Sequence, residues 1–268
     1  MNEETDRYTI LVPSNDAYSD LWKPFLHYLD ENWDWRTSTI LLGSNSVTGH
    51  FLGAEVCTVG ASEHWGEHVL NLLDMVKTDT VLLMMPDYFL FRPVDHRLFD
   101  YYLELFEHKQ LKCLTLTPRS IHSRTPTIYN GCKTVDLLGA YSVTLEVAFW
   151  KVSALRDALR PEDSPWSLER SARITAEDPR KWCFATDSVF HYVSTGALIR
   201  SSWTRRSQRN MIRDGLQDCL GGRGVLTRRE SLLYGARTLV FRGIALVWPM
   251  LIRRYNRKHS APRVTSTS

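Results

Sequence analysis

The chain is poor in paired cysteines, in acid near its C-terminus and in long apolar runs, and each shortage removes a class of protein. Its five cysteines, Cys57, Cys113, Cys132, Cys183 and Cys219, are odd in number, widely spaced and contain no CxxC. That pattern speaks against a zinc site and against a disulfide framework, and it fits a reducing cytosol. From Arg228 onward one acid, Glu230, stands against nine Lys and Arg, although the whole chain is only +3. The first 227 residues therefore hold 24 basic and 29 acidic side chains. A mildly acidic body with a basic tail suggests an anionic surface as partner of the tail, not nucleic acid laid across the body. The longest uncharged stretch of that tail, Gly243 to Ile252, is far short of the roughly 20 residues that span a bilayer. No repeat or low-complexity tract is present. The acidic start, Met1-Asn2-Glu3-Glu4-Thr5-Asp6, does not read as a signal peptide, so a cytoplasmic location is expected.

What is present is ordinary for a globular protein: 43% apolar and 24% charged residues in 268. This length fits one α/β domain, placed at 1–226, followed by a tail at 227–268. Nine Trp fit either packing or an aromatic-lined sugar or base site. Apolar strands and amphipathic helices alternate through the first half. Tyr8–Pro13, Thr39–Gly43, Cys57–Val59 and Thr80–Asp87 read as strands; Asp20–Asn32, Trp65–Val76 and His96–His108 read as helices. The alternation predicts a mixed, mostly parallel sheet covered by helices. Lys112–Leu116 and Tyr141–Trp150 read as further strands, Pro118–Asp136 as a long loop over a site, and Pro161–Trp166 as a turn. From Ser231 to Ile252 apolar residues recur at three- and four-residue steps, with Arg253, Arg254, Arg257 and Lys258 following. That is an amphipathic helix, lying in a membrane surface or docked on the domain.

The strand Thr80-Val81-Leu82-Leu83-Met84-Met85-Pro86-Asp87 delivers a carboxylate to the C-terminal edge of a sheet, where open α/β folds bind ligands. Asp87 is a candidate nucleotide or metal ligand, although a lone acid at a strand end is more often a helix cap or turn former. Pro86 stands where the second acid of a paired-acid metal site would be. Ser14-Asn15-Asp16 follows the first strand and fits a base or ribose, or an Asx-type turn. The acids of Glu162-Asp163-Ser164-Pro165-Trp166-Ser167-Leu168-Glu169 offer a general base or a solvated turn. His191 is a late metal ligand or a core histidine. The arginines between Arg200 and Arg213 fit phosphates of a small ligand or lipid as well as nucleic acid; no nucleic-acid reading module is recognisable, and none is expected as a partner.

In order along the chain these segments resemble a family of bacterial GT-A-type glycosyltransferases of capsule and lipopolysaccharide assembly. The matching blocks are Val12-Pro13-Ser14-Asn15-Asp16-Ala17-Tyr18-Ser19-Asp20-Leu21-Trp22, then Trp65 with its helix, and Leu82 to Leu90 with Pro93-Val94-Asp95. Tyr141 to Trp150 and Glu162 to Glu169 complete the series. The resemblance covers about Tyr8 to Gly215. It implies a GT-A-like fold and transfer of a sugar, with inversion, from a nucleotide-sugar donor to a glycan or lipid-linked acceptor. It places Ser14, Asp16, Trp65, Asp87 and Tyr88 on the nucleotide sugar, and Tyr141 and Trp166 on the acceptor side. Mg²⁺ or Mn²⁺ would sit on Asp87 against the diphosphate, and Glu169 or Glu146 would be the base. With the tail, it implies a protein peripheral on the inner face of the cytoplasmic membrane. A GT-A-like protein that has lost catalysis and binds glycan or scaffolds a complex is the alternative, and Pro86 favours it.

Overall fold

A computed structural model describes residues 6–119, 125–137, 141–171, 174, 178–193 and 196–236. The first strand, β1 (Thr9–Val12), runs into a 3₁₀ turn at Asp16–Leu21 and the helix α1 (Trp22–Asn32). There follow β2 (Ile40–Ser44), β3 (Gly49–Phe51), β4 (Ala54–Thr58), α2 (Trp65–Leu73), β5 (Thr80–Leu83) and α3 (His96–His108). The second half contains β6 (Cys113–Thr115), β7 (Thr127–Tyr129), β8 (Cys132–Thr134), β9 (Ala148–Lys151), α4 (Val152–Ala158), α5 (Pro165–Ser171) and β10 (Trp182–Ala185). It closes with the hairpin β11 (Leu198–Ile199) and β12 (Ser202–Trp203), then α6 (Arg205–Arg213) and a helical segment at 228–236.

Ten strands form one sheet in the order β3-β4-β2-β1-β5-β9-β6-β10-β8-β7. Side chains alternate strictly between its faces. Ile10, Val12, Leu42, Leu82 and Phe149 enter one core with α1 and α3, whereas Leu11, Leu41, Val81, Leu83 and Trp150 enter the other with α2 and α4. Both faces are covered, which is why these strands read as unbroken apolar runs. Helix α3 buries Phe99, Tyr102, Leu103 and Phe106, one stripe at helical spacing, and Asp95 caps it by accepting the Leu98 N–H at 3.1 Å.

The sheet is mixed, as expected, but not mostly parallel. Four of its neighbour pairs are parallel (β1–β2, β1–β5, β2–β4, β6–β10) and five antiparallel. The decisive strand is β9, which runs against both β5 and β6. The chain leaves β6 at the C-terminal edge of the parallel strands and re-enters through residues 141–147 from that same edge, so it must run backwards. Three further expectations change. The predicted loop Pro118–Asp136 contains the β7–β8 hairpin, which extends the sheet. Strand structure in Tyr141–Trp150 begins only at Ala148. Glu169 stands inside a helix, because Pro165 opens α5 at a first-turn position that suits proline. All five cysteines are free, and four are buried. Among the described residues no helix is long and apolar enough to cross a membrane. The predicted tail helix lies outside the described residues from 237 onward.

Candidate functional site

The loops that leave β1, β2, β4, β5 and β6 at their C-terminal ends, with the segment entering β9, enclose a cavity of about 870 Å³. Eight of the nine expected site residues line it: Ser14, Trp65, Asp87, Tyr88, Tyr141, Glu146, Trp166 and Glu169. Asp16 does not. Its carboxylate faces the neighbouring loop instead, accepting from the Ser44 hydroxyl (2.6 Å), the Asn45 N–H (2.9 Å) and the Ser46 hydroxyl (2.5 Å). These donors hold its pKa down, from 3.8 to about 2. Asp16 thus ties the loop after β1 to the loop after β2, and Asn15 makes the Asx turn by accepting the Ala17 N–H at 3.0 Å. A carboxyl whose folded pKa is depressed stabilises the fold above its unfolded pKa, and this is lost as pH falls towards the folded value. Wild-type protein is therefore expected to lose stability between about pH 4 and its folded value near 2. Asp16→Asn should show a flatter acid limb in chemical denaturation; equal limbs would remove this clamp from the account.

The Ser14 hydroxyl accepts the indole N–H of Trp22 at 2.8 Å. His68, which composition did not single out, is buried in the wall behind Ser14, and burial lowers its pKa. Its Nε2 has no partner and stands against Gly43, where a Cβ would lie 2.7 Å away. Trp65 opens α2 without a side-chain cap. The exposed helix amides are satisfied instead by the 160–163 loop: Gly66 N–H donates to the Asp163 carbonyl (2.7 Å) and Glu67 N–H to the Pro161 carbonyl (2.9 Å). Asp163, read as a possible base, is buried and structural; its carboxylate accepts from Arg160 N–H (2.9 Å) and the Ser167 hydroxyl (3.0 Å). This loop joins the Trp65 wall to α5.

On the opposite wall, Glu169 Oε1 accepts from Leu145 N–H (2.9 Å) and the Thr144 hydroxyl (3.2 Å). Glu146 Oε2 accepts from the Thr117 hydroxyl at 2.8 Å. Arg119 is buried beside both acids; its guanidinium donates to the carbonyls of Tyr141 and Ser142 and holds the 141–146 loop in place. Burial lowers the Arg119 pKa while the two carboxylates oppose that. Tyr88 stacks on Tyr192 with centroids 4.3 Å apart, and burial raises the pKa of both. Trp166 projects from α5 with 67% of its surface exposed. Of the eight Trp in described residues only Trp65 and Trp166 line the cavity; Trp33, Trp150 and Trp203 are core. His191 is exposed and outside the cavity lining, so it is neither a core histidine nor a ligand there.

The strand-end acid itself is turned onto protein. The Asp87 carbonyl accepts the Ala197 N–H at 2.7 Å, and its carboxylate packs so closely on Gly196 that a Cβ there would collide with it. Burial raises its pKa from 3.8 to about 6. A divalent cation held against a diphosphate needs ionised carboxylate oxygens directed at it. Here Pro86 supplies none, the Asp87 carboxylate is packed against Gly196, and among the described residues no three His, Cys, Asp or Glu side chains come together to hold a metal. The residues present do not fit the expected Mg²⁺ or Mn²⁺ on Asp87.

No protein-family model matches the chain, and no curated protein matches it. Among solved structures it is similar to S. aureus TarS 1–349 in complex with UDP-GlcNAc (11% identity, 95% of this chain and 74% of that one, TM-score 0.43). It is also similar to the mannosyltransferase PcManGT from Pyrobaculum calidifontis in complex with GDP-Man and Mn²⁺ (11% identity, 94% and 85%, TM-score 0.44). A third is the galactosyltransferase LgtC with donor and acceptor sugar analogues (10% identity, 92% and 99%, TM-score 0.39). The match spans 60% of another TarS 1–349 structure and 37% of a longer TarS chain. Likenesses of this size assign no residue a role.

Proposed function

We propose that the cavity binds a nucleotide sugar and that the chain transfers the sugar, with inversion, to a hydroxyl of a glycan or lipid-linked acceptor. The observation that carries this reading is the pairing of two unlike walls in one cavity. One wall is built from the loops after β1, β2, β4 and β5, the usual place for a nucleotide in an α/β sheet; the other holds Glu169 and the exposed Trp166. Trp166 would carry the face of an acceptor sugar. An acceptor oxygen attacks the anomeric carbon, the bond from that carbon to the diphosphate oxygen breaks, and the nucleoside diphosphate leaves. Glu169 takes the hydroxyl proton. Its Oε1 is held by two donors, which leaves Oε2 to take the proton.

The basic residues after 227 favour an anionic membrane surface as the place where a lipid-linked acceptor is met. Two domains at 1–226 and 227–268, and a role in surface polysaccharide assembly, complete the proposal. Calorimetry with a panel of nucleoside diphosphates and nucleotide sugars tests it. Binding of one base in preference to others is expected, and no binding across the panel would favour the rival scaffold reading, for which Pro86 and the committed Asp87 speak. Trp166→Ala should raise the acceptor KM about tenfold, the worth of about 1.4 kcal/mol. Little change is expected in donor KM or Tm, since the side chain packs on little protein; an unchanged acceptor KM would remove Trp166 from the acceptor site.

A further inference from the structure

A diphosphate entering this cavity meets four acids among the lining residues, Glu63, Asp87, Glu146 and Glu169, and two arginines, Arg119 and Arg200. Arg119 is already committed to two carbonyls and lies beside two of those acids. Arg200 is exposed, and no hydrogen bond or ion pair engages it among the described residues. We propose that Arg200 supplies the positive charge for the donor's diphosphate, in the role that a divalent cation on a strand-end acid pair would otherwise fill. This rests on the nucleotide-sugar reading above.

Three features of the chain deliver Arg200 to that place. The hairpin pairs Leu198 with Trp203 and Ile199 with Ser202, so Arg200 and Ser201 alone make the turn. Both are left-handed, with φ of 49° and 61°. Two-residue hairpins demand this geometry and usually meet it with Asn or Gly. An arginine in such a conformation is unfavourable in itself, and outliers of this kind gather at ligand clamps. Second, the base of the hairpin is fixed. Trp203 is fully buried, its indole N–H donates to the Leu220 carbonyl at 2.7 Å, and Thr204 N–H donates to the Ala197 carbonyl at 2.9 Å. Third, Asp87 holds the segment leading into the hairpin: its carbonyl takes the Ala197 N–H and its carboxylate packs on Gly196, three and four residues before Arg200. Three residues span at most ~10 Å, so the guanidinium is held within reach of the β5 edge. Asp87 is then a positioning residue, and the acid that looked like half a metal site is the latch for its replacement.

Calorimetry on the full-length chain with UDP and GDP as probes, and uridine and guanosine as controls, tests the assignment. In EDTA, wild-type protein is expected to bind one of the two diphosphates, with affinity within twofold of that in Mn²⁺. Arg200→Ala should weaken the diphosphate about 10- to 100-fold, the usual worth of a charge-assisted phosphate contact, and the nucleoside less than twofold. Arg200→Lys should recover part of the loss. Asp87→Ala should weaken the diphosphate similarly, and Arg200→Ala added to it should cost little more, because both act on one contact. Loss of binding in EDTA with recovery in Mn²⁺ overturns the proposal, as does full diphosphate affinity in Arg200→Ala; either result leaves the nucleotide-sugar reading standing. No binding of any nucleoside diphosphate of the panel under any condition overturns both.

Discussion

Glu169→Gln is expected to lower sugar transfer at least about 100-fold, the usual contribution of a positioned general base. The nucleoside diphosphate Kd should change less than twofold. The amide retains an oxygen that can accept from Leu145 N–H and the Thr144 hydroxyl, so the 141–146 loop and the Tm should be preserved. What the variant loses is the second carboxylate oxygen and its capacity to take a proton. Glu146→Gln is the necessary companion. Its carboxylate also lines the cavity, with one oxygen on the Thr117 hydroxyl, and as an indirect participant beside Arg119 it should lower kcat less than Glu169→Gln does. A larger fall in Glu146→Gln would exchange the two assignments, and unchanged turnover in both would remove the base from this wall.

Gly66→Ala is expected to be strongly disruptive. A methyl at this position would fall on the Arg160 carbonyl oxygen and press on the Asp163 side chain. Backbone cannot swing aside as a long side chain can, so either α2 or the 160–163 loop must move. Overpacking of this kind costs about 3 kcal/mol, or roughly 6–12 °C in Tm at this chain length. The damage should also reach the cavity, because Trp65 adjoins the glycine on one side and the loop leads directly into α5 on the other. A Gly66→Ala protein that keeps wild-type Tm and donor affinity would show that this junction does not set the spacing of the two walls.

Much of this architecture is legible in the residues themselves. Ile10–Val12, Ile40–Leu42 and Val81–Leu83 are apolar at every position because both faces of the sheet are covered, and no surface strand reads that way. Strand ends point to the site for the same reason, which is how Ser14 and Asp87 were found. What is not legible is set by partners distant in sequence. Asp16 looks like Ser14 in sequence, but Ser44, Asn45 and Ser46 claim it from 28 to 30 residues away. The β7–β8 hairpin is short, partly exposed and embedded in a Pro- and Gly-bearing stretch, so it carries no periodic signal. Pro165 did announce the start of α5, and reading it as helix position one would have moved Glu169 from a turn to a helix face. Arg200 was visible only as one of several arginines; its separate role depends on a turn geometry that Arg-Ser does not advertise.

The backward course of β9 also bears on how the molecule comes together. Strands β1, β2 and β4 lie within the first 58 residues and β5 joins them by residue 83. A chain emerging N-terminus first can therefore assemble the wall of the cavity built from the loops after these strands early. Arg119, Glu146, Glu169 and Arg200 all arrive later. Until Ala148–Lys151 has been made, β5 has no neighbour on its far side, and four fully apolar or buried positions line an open edge. Open edges of that kind invite pairing with other chains. The strand that brings the second wall to the cavity is also the one that closes the growing sheet against aggregation.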